Sequence, residues 1–102
     1  MPLPYYFDYA AHALRYYSEN VDKRDRLGTM SKAEVINWNC VMRTLTLFSA
    51  IEQKIMLELY RQPGNIVECV KAISEKYAIP NVDVWDLNNR FLTEFSRQRG
   101  LI

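Results

Sequence analysis

The fold is decided by residues 70–92, which read VKAISEKYAIPNVDVWDLNNRFL. Apolar residues repeat at helical spacing up to Tyr77, and the proline of the following tetrapeptide, AIPN, interrupts that pattern. Helical spacing resumes at Val84 and Leu87, which are placed to hold a second helix against the first. The stretch therefore predicts two helices joined by a tight corner, with Ile79 between them, as in a helix-turn-helix.

Three more helices are predicted before this hairpin. The first covers residues 5–19, where one apolar stripe repeats at helical spacing. Ser31 and Ser49 each begin the sequence S-x-x-E, a capping box that marks the start of a helix. We expect the second helix to end before Ser49, although residues 44–48 alternate polar and apolar side chains and are compatible with a strand. The sequence thus predicts an all-α fold of about five helices in one domain, residues 1–102.

The expected core consists of the apolar residues that recur at helical spacing. Along the five helices in order they are Tyr6, Ala10, Ala13, Leu14 and Tyr17; Val35, Trp38, Met42, Leu45 and Phe48; Ile51, Ile55, Met56, Leu59 and Tyr60; Ile66, Val70, Ile73 and Tyr77; and Val84, Leu87, Phe91 and Phe95. Asn88 falls on the same side of the last helix, so we expect its amide to find a hydrogen-bond partner.

The composition sets limits on function. The chain has 102 residues and a net charge of +1, so it has no global attraction to nucleic acid or to acidic membranes. A single histidine and three isolated glycines favour neither a catalytic triad nor a phosphate-binding loop, and we expect no enzyme activity, cofactor or metal. The two cysteines lie in amphipathic stretches, which is typical of a reduced, cytoplasmic protein, and no apolar run is long enough to span a membrane.

The last helix offers a candidate recognition surface. On a helical wheel its outward side carries Asp86, Asn89, Arg90, Thr93 and Arg97. In a DNA-recognition helix, Asn89 would bind an adenine and Arg90 a guanine or a phosphate. Contacts to the DNA backbone would come from Arg97, Arg99, Lys23, Arg24 and Arg26.

Charge argues against the DNA interpretation. Asp83 and Asp86 lie in the first turn of the helix, where they would repel phosphates, and the helix dipole explains them without a ligand. Residues 66–102 carry five basic and five acidic residues, so this half of the chain lacks the excess positive charge that DNA binding uses. DNA affinity would then require a homodimer or the local basic patch around Lys23.

A protein target is the rival interpretation. Tyr5 and Tyr9 belong to a second aromatic row beside the apolar stripe of the first helix, and one small domain is not expected to bury both rows. Aromatic side chains dominate the energetics of protein interfaces. In this interpretation the partner is contacted by Tyr5, Tyr9, Asp83, Trp85 and Asp86.

Two parts of the chain resemble known modules. Residues 49–92 are similar to the fourth region of bacterial sigma factors, through SAIEQKIMLELY and YAIPNVDVWDLNNRF, and this resemblance implies a DNA-binding helix-turn-helix. Residues 55–102 are similar to the small winged-helix peptide chaperones of radical-enzyme peptide modification, in which a β-hairpin holds the leader peptide. That function needs a sheet edge, which the helical pattern of residues 1–48 does not predict.

A third resemblance spans nearly the whole chain. YYFDYAAHALRYYSEN and VWDLNNRFLTEFSRQRGLI resemble short orphan proteins of phages and conjugative elements of Gram-positive gut bacteria. The resemblance implies either a small transcriptional regulator or an inhibitor of host defence, such as an anti-CRISPR protein. We therefore expect a non-catalytic binding protein of a mobile element: first a helix-turn-helix regulator on DNA, and alternatively a protein that blocks a host nucleic-acid machine.

Overall fold

The computed structural model describes residues 5–23, 28 and 30–102. They form five helices: α1, Tyr6–Asn20; α2, Lys32–Leu45; α3, Ala50–Arg61; α4, Ile66–Tyr77; and α5, Asn81–Arg99. The predicted all-α class is therefore confirmed, and α2 ends in a turn before Ser49. The described residues contain no strand, so the sheet edge of the winged-helix chaperones has no counterpart among them. Among these helices, none combines the length and apolar character that a membrane span requires.

Side-chain caps fix where α2 and α3 begin. Ser31 Oγ accepts the backbone N–H of Glu34 at 3.2 Å, and the Glu34 carboxylate accepts the backbone N–H of Ser31 at 3.0 Å. Ser49 and Glu52 make the same reciprocal pair at 3.2 and 2.9 Å. Each pair satisfies two backbone donors that a helix start leaves without a partner, and both predicted capping boxes are confirmed.

The corner between α4 and α5 is built on a left-handed residue. Ala78 has φ 54° and ψ 46°, and its backbone N–H donates to the carbonyl of Ser74. The backbone N–H of Ile79 donates to the same carbonyl at 3.1 Å, and the extended Pro80 then leads into α5. Ile79 packs partly buried against the core, as expected for the residue between the two helices. The DNA-reading geometry of this hairpin stays a prediction.

Replacing Ala78 by glycine is expected to stabilise the protein by about 0.5–1 kcal/mol, because glycine adopts a positive φ without the steric cost that alanine incurs. Urea unfolding followed by circular dichroism measures the change. Ala72→Gly is the matched control, since Ala72 is exposed on the regular α4 helix, where glycine should destabilise by about 0.5–1 kcal/mol. If both substitutions lower the stability equally, the left-handed corner is wrong.

Helix α5 forms the centre of the fold, because it packs against each of the other four helices. Its buried residues are those that the sequence predicts, together with Leu92 and Ser96: Val84, Leu87, Asn88, Phe91, Leu92, Phe95 and Ser96. Asn88 Oδ1 accepts the hydroxyl of Tyr60 on α3 at 2.7 Å. The expected partner of the buried amide is thus present, and it joins α3 to α5.

The buried side of α2 differs from the prediction. The sequence predicts Val35 and Met42 in the core, but their side chains are 37% and 47% exposed. The buried side instead carries Cys40 and Thr44, whose hydroxyl donates to the Cys40 carbonyl at 2.8 Å and is thereby satisfied. Cys40 Sγ reaches the carbonyl of Phe95 at 3.7 Å. Val41 and Leu45 are buried beside them, and because this side of α2 packs against α5, Val35 and Met42 turn outward.

The predicted core of α3 also needs one correction. The sequence predicts Ile51 in the apolar face, but its side chain is 53% exposed. Ile51 lies in the first turn of α3, and the buried part of that helix begins one turn later, at Ile55. The remaining predicted core residues of α3 are buried: Ile55, Met56, Leu59 and Tyr60.

Candidate functional site

The outward side of α5 carries the predicted recognition residues. We call Asp86, Asn89, Arg90, Thr93 and Arg97 the α5 outer face. Thr93 is half-buried and the other four residues are exposed. The predicted division of α5 into a buried and an outward side is therefore confirmed, and the chemistry of the outward side depends on its charges.

Arg90 is held by two carboxylates of its own chain. Its Nη2 lies 3.1 Å from Glu52 Oε2, and its Nε lies 3.3 Å from Asp86 Oδ2. The guanidinium carbon also lies 5.7 Å from the centre of the Phe48 ring, within the range of a cation–π contact. The positive charge of Arg90 is thus largely compensated within the molecule.

Glu52 links the start of α3 to α5. One of its oxygens closes the capping box with Ser49, and the other contacts Arg90. The backbone N–H of Ser49, followed by Arg90, holds the pKa of Glu52 below its usual range. Glu52 therefore carries its negative charge at neutral pH, where it opposes the approach of a phosphate to Arg90.

The second arginine of the α5 outer face is also paired. Arg97 forms an ion pair with Glu94 one turn earlier on the same helix. The two arginines of the face are thus balanced by three carboxylates, Glu52, Asp86 and Glu94. The exposed Asp83 at the start of α5 adds a further negative charge, so this side of the molecule is acidic.

A groove of about 440 Å³ lies beside the α5 outer face, and we call it the Phe48 groove. Its lining residues are Leu47, Phe48, Asn89, Arg90, Thr93 and Glu94. Leu47 is 56% exposed in the turn after α2, and Phe48 is half-buried. The groove therefore combines apolar side chains from this turn with polar and charged side chains from α5.

A second cavity of about 360 Å³ lies between α1, α3, α4 and α5, and we call it the Trp85 pocket. Asn89 lines both this pocket and the Phe48 groove. The half-buried Trp85 forms part of the wall, together with Asn88 and Tyr60. The two cavities therefore adjoin the α5 outer face on either side of Asn89.

The other predicted contact residues lie apart from the α5 outer face. Tyr5 is 84% exposed, and Tyr9 is 40% exposed on the outward row of α1. Arg99 turns towards this row: its Nε donates to Asn37 Oδ1 at 2.7 Å, and its Nη2 lies 3.5 Å from Tyr9 Oη. Lys23 is exposed beyond α1, whereas Arg24 and Arg26 lie outside the described residues. The structure thus groups Arg99 with Tyr9 and not with Arg90 and Arg97.

Ionisation of the buried Tyr60 hydroxyl is expected to lower the stability of the protein at alkaline pH. Burial raises the pKa of Tyr60 to about 12, from the ordinary value of 10.0. The unfolded chain therefore releases this proton first, and the contribution of Tyr60 to stability is complete below about pH 10 and is lost between about pH 10 and 12. At pH 11 we expect a loss of about 1.4 kcal/mol relative to neutral pH.

The comparison of wild type with Tyr60→Phe isolates this effect, since phenylalanine has no proton to lose. Urea unfolding of both proteins at pH 9 and at pH 11 gives the difference in stability between them. We expect the advantage of the wild type to shrink by about 1.4 kcal/mol at the higher pH. An advantage that is the same at both pH values would show that Tyr60 ionises as freely as an exposed tyrosine.

Some lining residues of the two cavities are absent from the sequence-based prediction. Leu47 and Phe48 line the groove from the turn after α2, and no periodicity links them to α5. The two ion pairs within α5 can be predicted from sequence spacing, because Asp86 and Arg90 are four residues apart and Glu94 and Arg97 are three apart. Sequence spacing does not predict the ion pair between Glu52 and Arg90, because that pair depends on how α3 packs against α5.

No protein-family model matches the chain, and no curated protein or solved structure is significantly similar to it. The resemblances stated from the sequence motifs stay predictions. The chemistry of the site therefore follows from its own residues: an acidic surface with a groove of mixed apolar and polar lining on one side and a mostly apolar pocket on the other.

Proposed function

We propose that this chain is a non-catalytic binding protein whose α5 outer face and Phe48 groove dock onto another protein. The observation that carries the proposal is the pairing of Arg90 and Arg97 with carboxylates of the same chain. Sequence-independent DNA affinity comes from cations that neutralise phosphates, and these two cations are already compensated. A protein surface can instead use the carboxylates, the arginines and the groove together.

The composition of the Phe48 groove favours a protein partner. Protein interfaces combine an apolar centre with a polar rim, and aromatic residues and arginine are enriched in them. Leu47 and Phe48 supply the apolar part, and Arg90 is already oriented by its contacts, so little side-chain freedom is lost on binding. An apolar side chain of the partner fits this groove.

The acidic character of the surface indicates what kind of protein it would bind. Carboxylates and phosphates attract the same cationic side chains, so an acidic face can occupy a basic surface that normally holds nucleic acid. Asp83, Asp86 and Glu94 lie on this side of α5, and Trp85 lies near them. The motif resemblance to proteins of phages and conjugative elements implies the same class of target, a nucleic-acid machine of the host, as for anti-CRISPR proteins.

Two matched variants test the docking surface. Leu47→Asp places a carboxylate in the Phe48 groove, whereas Val67→Asp makes the same change at an exposed aliphatic residue of α4, which does not line the groove. Tagged wild-type protein is used to capture partners from a lysate of a Gram-positive gut bacterium, and affinities are then measured with the purified partner. We expect Leu47→Asp to lose most of the affinity and Val67→Asp to keep it. Equal affinities of all three proteins, or no captured partner, would contradict the proposal.

DNA binding is the second candidate function. It is favoured by Asn89, which is exposed and makes no side-chain hydrogen bond to another described residue, and by the short connection that joins α4 to α5. In this case Asn89 contacts an adenine, Arg90 and Thr93 contact bases or phosphates, and Arg97 holds the backbone. A homodimer would double these contacts. If the chain binds DNA, its affinity for duplex DNA should fall steeply as the salt concentration rises.

A further inference from the structure

We propose that the Trp85 pocket binds a small amphipathic carboxylic acid, with the apolar part of the ligand in the pocket and its carboxylate on Arg15. This inference goes beyond the docking function, because the pocket lies on the far side of Asn89 from the Phe48 groove. It assigns a ligand chemistry to this cavity, which shares Asn89 with the docking surface.

The size and lining of the pocket suit a small organic molecule. Its volume of about 360 Å³ is in the range of small-molecule sites, which are mostly apolar with a few placed polar groups. The apolar part of the wall comes from three helices, through Phe7, Ala11, Ile66, Trp85 and Leu92. Phe7 and Leu92 also belong to the buried core, so the cavity is formed before a ligand arrives.

Arg15 supplies a positive charge at this pocket. It is half-buried, and its guanidinium carbon lies 5.6 Å from the centre of the Tyr60 ring. No carboxylate or other acceptor pairs with Arg15 in the part of the chain that the structure describes. Four other arginines do have such partners: Arg61, Arg90, Arg97 and Arg99. A guanidinium beside an apolar cavity, whose donors meet no acceptor among the described residues, selects a ligand that carries a carboxylate.

Two further side chains orient such a ligand. Asn88 lines the pocket, and because its Oδ1 already accepts the Tyr60 hydroxyl, its Nδ2 is available to donate to a carboxylate. Asp8 lies at the other end of the pocket on α1, about two helical turns or 10 Å from Arg15. Its negative charge disfavours an anion at that end, so the carboxylate of the ligand should lie at Arg15.

The test uses the two tryptophans of the chain as separate reporters. In a ¹⁵N–¹H spectrum each indole N–H gives one signal: Trp85 lines the pocket, whereas Trp38 packs on Tyr17 with ring centres 4.5 Å apart. The probe is 3-phenylpropionate, and the size-matched controls are its neutral amide and 3-phenylpropylammonium. We expect the anion to shift the Trp85 signal and leave Trp38 in place, with roughly tenfold higher affinity than the amide and no measurable binding of the cation.

Variants of Arg15 and Asp8 test whether the carboxylate of the ligand binds at Arg15. Arg15→Gln should remove the roughly tenfold preference for the anion, and Arg15→Lys should keep part of it. Arg43→Gln, at an exposed position of α2, is the control and should bind like wild type. Asp8→Asn should bind the anion slightly more tightly, since a repulsive charge is removed. The dispersion of the amide spectrum shows whether each variant is folded.

Several outcomes would overturn the inference. They are the absence of a Trp85 shift at millimolar 3-phenylpropionate, equal affinity for the three probes, or an Arg15→Gln variant that still prefers the anion. The Leu47→Asp variant distinguishes ligand binding from protein docking. It should lose affinity for the protein partner and bind 3-phenylpropionate as tightly as wild type does. If Leu47→Asp also loses the probe, the two cavities act as one site and the separate ligand site is wrong.

Discussion

Replacing Phe91 by alanine is expected to lower the free energy of unfolding by about 3–5 kcal/mol. Phe91 is fully buried at the middle of α5, and its ring centre lies 5.6 Å from that of Phe48. Alanine would remove the ring and leave a cavity that the surrounding helices fill only in part. Because small domains are stable by only about 5–15 kcal/mol, this loss is a large fraction of the total stability.

Urea unfolding followed by circular dichroism gives the measurement for Phe91→Ala. Val82→Ala is the control on the same helix, since Val82 is 68% exposed and its truncation should change stability by less than about 0.5 kcal/mol. Phe91→Leu should fall between the two, because it keeps most of the apolar volume. A cost for Phe91→Ala as small as that of the control would contradict the placement of α5 at the centre of the core.

The second large effect is expected from Asn88. Asn88→Ala should cost about 2–3 kcal/mol, because it leaves the buried Tyr60 hydroxyl without its acceptor. Tyr60 is 3% exposed and Asn88 is 4% exposed, and no other described side chain accepts the Tyr60 hydroxyl. Tyr60→Phe should cost about 1–2 kcal/mol for the corresponding reason.

A double-mutant cycle separates this hydrogen bond from the packing of the two side chains. If Tyr60 and Asn88 bond to each other, the double variant should cost little more than Asn88→Ala alone, since the second substitution removes a group that has already lost its partner. Stabilities from urea unfolding of all four proteins complete the cycle. Strictly additive costs would show that the two groups do not interact, and the link between α3 and α5 would then be wrong.

The sequence was most informative where local chemistry decides the structure. Ser31 and Ser49 mark helix starts because a hydroxyl and a glutamate three residues later satisfy backbone donors locally. The buried side of α5 was predictable because Val84, Leu87 and Phe91 repeat at helical spacing with charged residues opposite. The need of Asn88 for a partner followed from its place on that side, although the identity of the partner, Tyr60, depended on the packing of another helix.

The sequence was less informative where two sides of a helix are both partly apolar. On α2, Val35 and Met42 form one apolar row, and Cys40, Val41 and Thr44 form another. Periodicity favours the row with the larger side chains, whereas close packing against α5 favours the smaller ones. Thr44 appears polar in sequence, yet its hydroxyl is satisfied within its own helix, and that satisfaction permits its burial.

At the candidate site, too, the sequence predicts which side chains face outward but not which side chains of other helices they contact. The outward position of Asn89, Arg90 and Arg97 was predictable from the helical wheel, but the state of their charges was not. Arg90 contacts Glu52, which is 38 residues away in the chain, and this contact exists only because the start of α3 lies beside α5. The change from a DNA-binding to a protein-binding interpretation depends on such contacts between helices.

Carboxylates of this chain compensate the arginines of the α5 outer face, and duplex DNA binding by charge-neutralised variants measures this compensation. Wild type is compared with the triple variant Glu52→Gln, Asp86→Asn, Glu94→Gln at low and at moderate salt; glutamine at position 52 can still complete the capping box. We predict no binding by the wild type at either salt concentration. The triple variant should bind DNA at low salt and release it as salt rises, since Arg90 and Arg97 are then free to contact phosphates. Tight, strongly salt-dependent binding by the wild type would contradict the account.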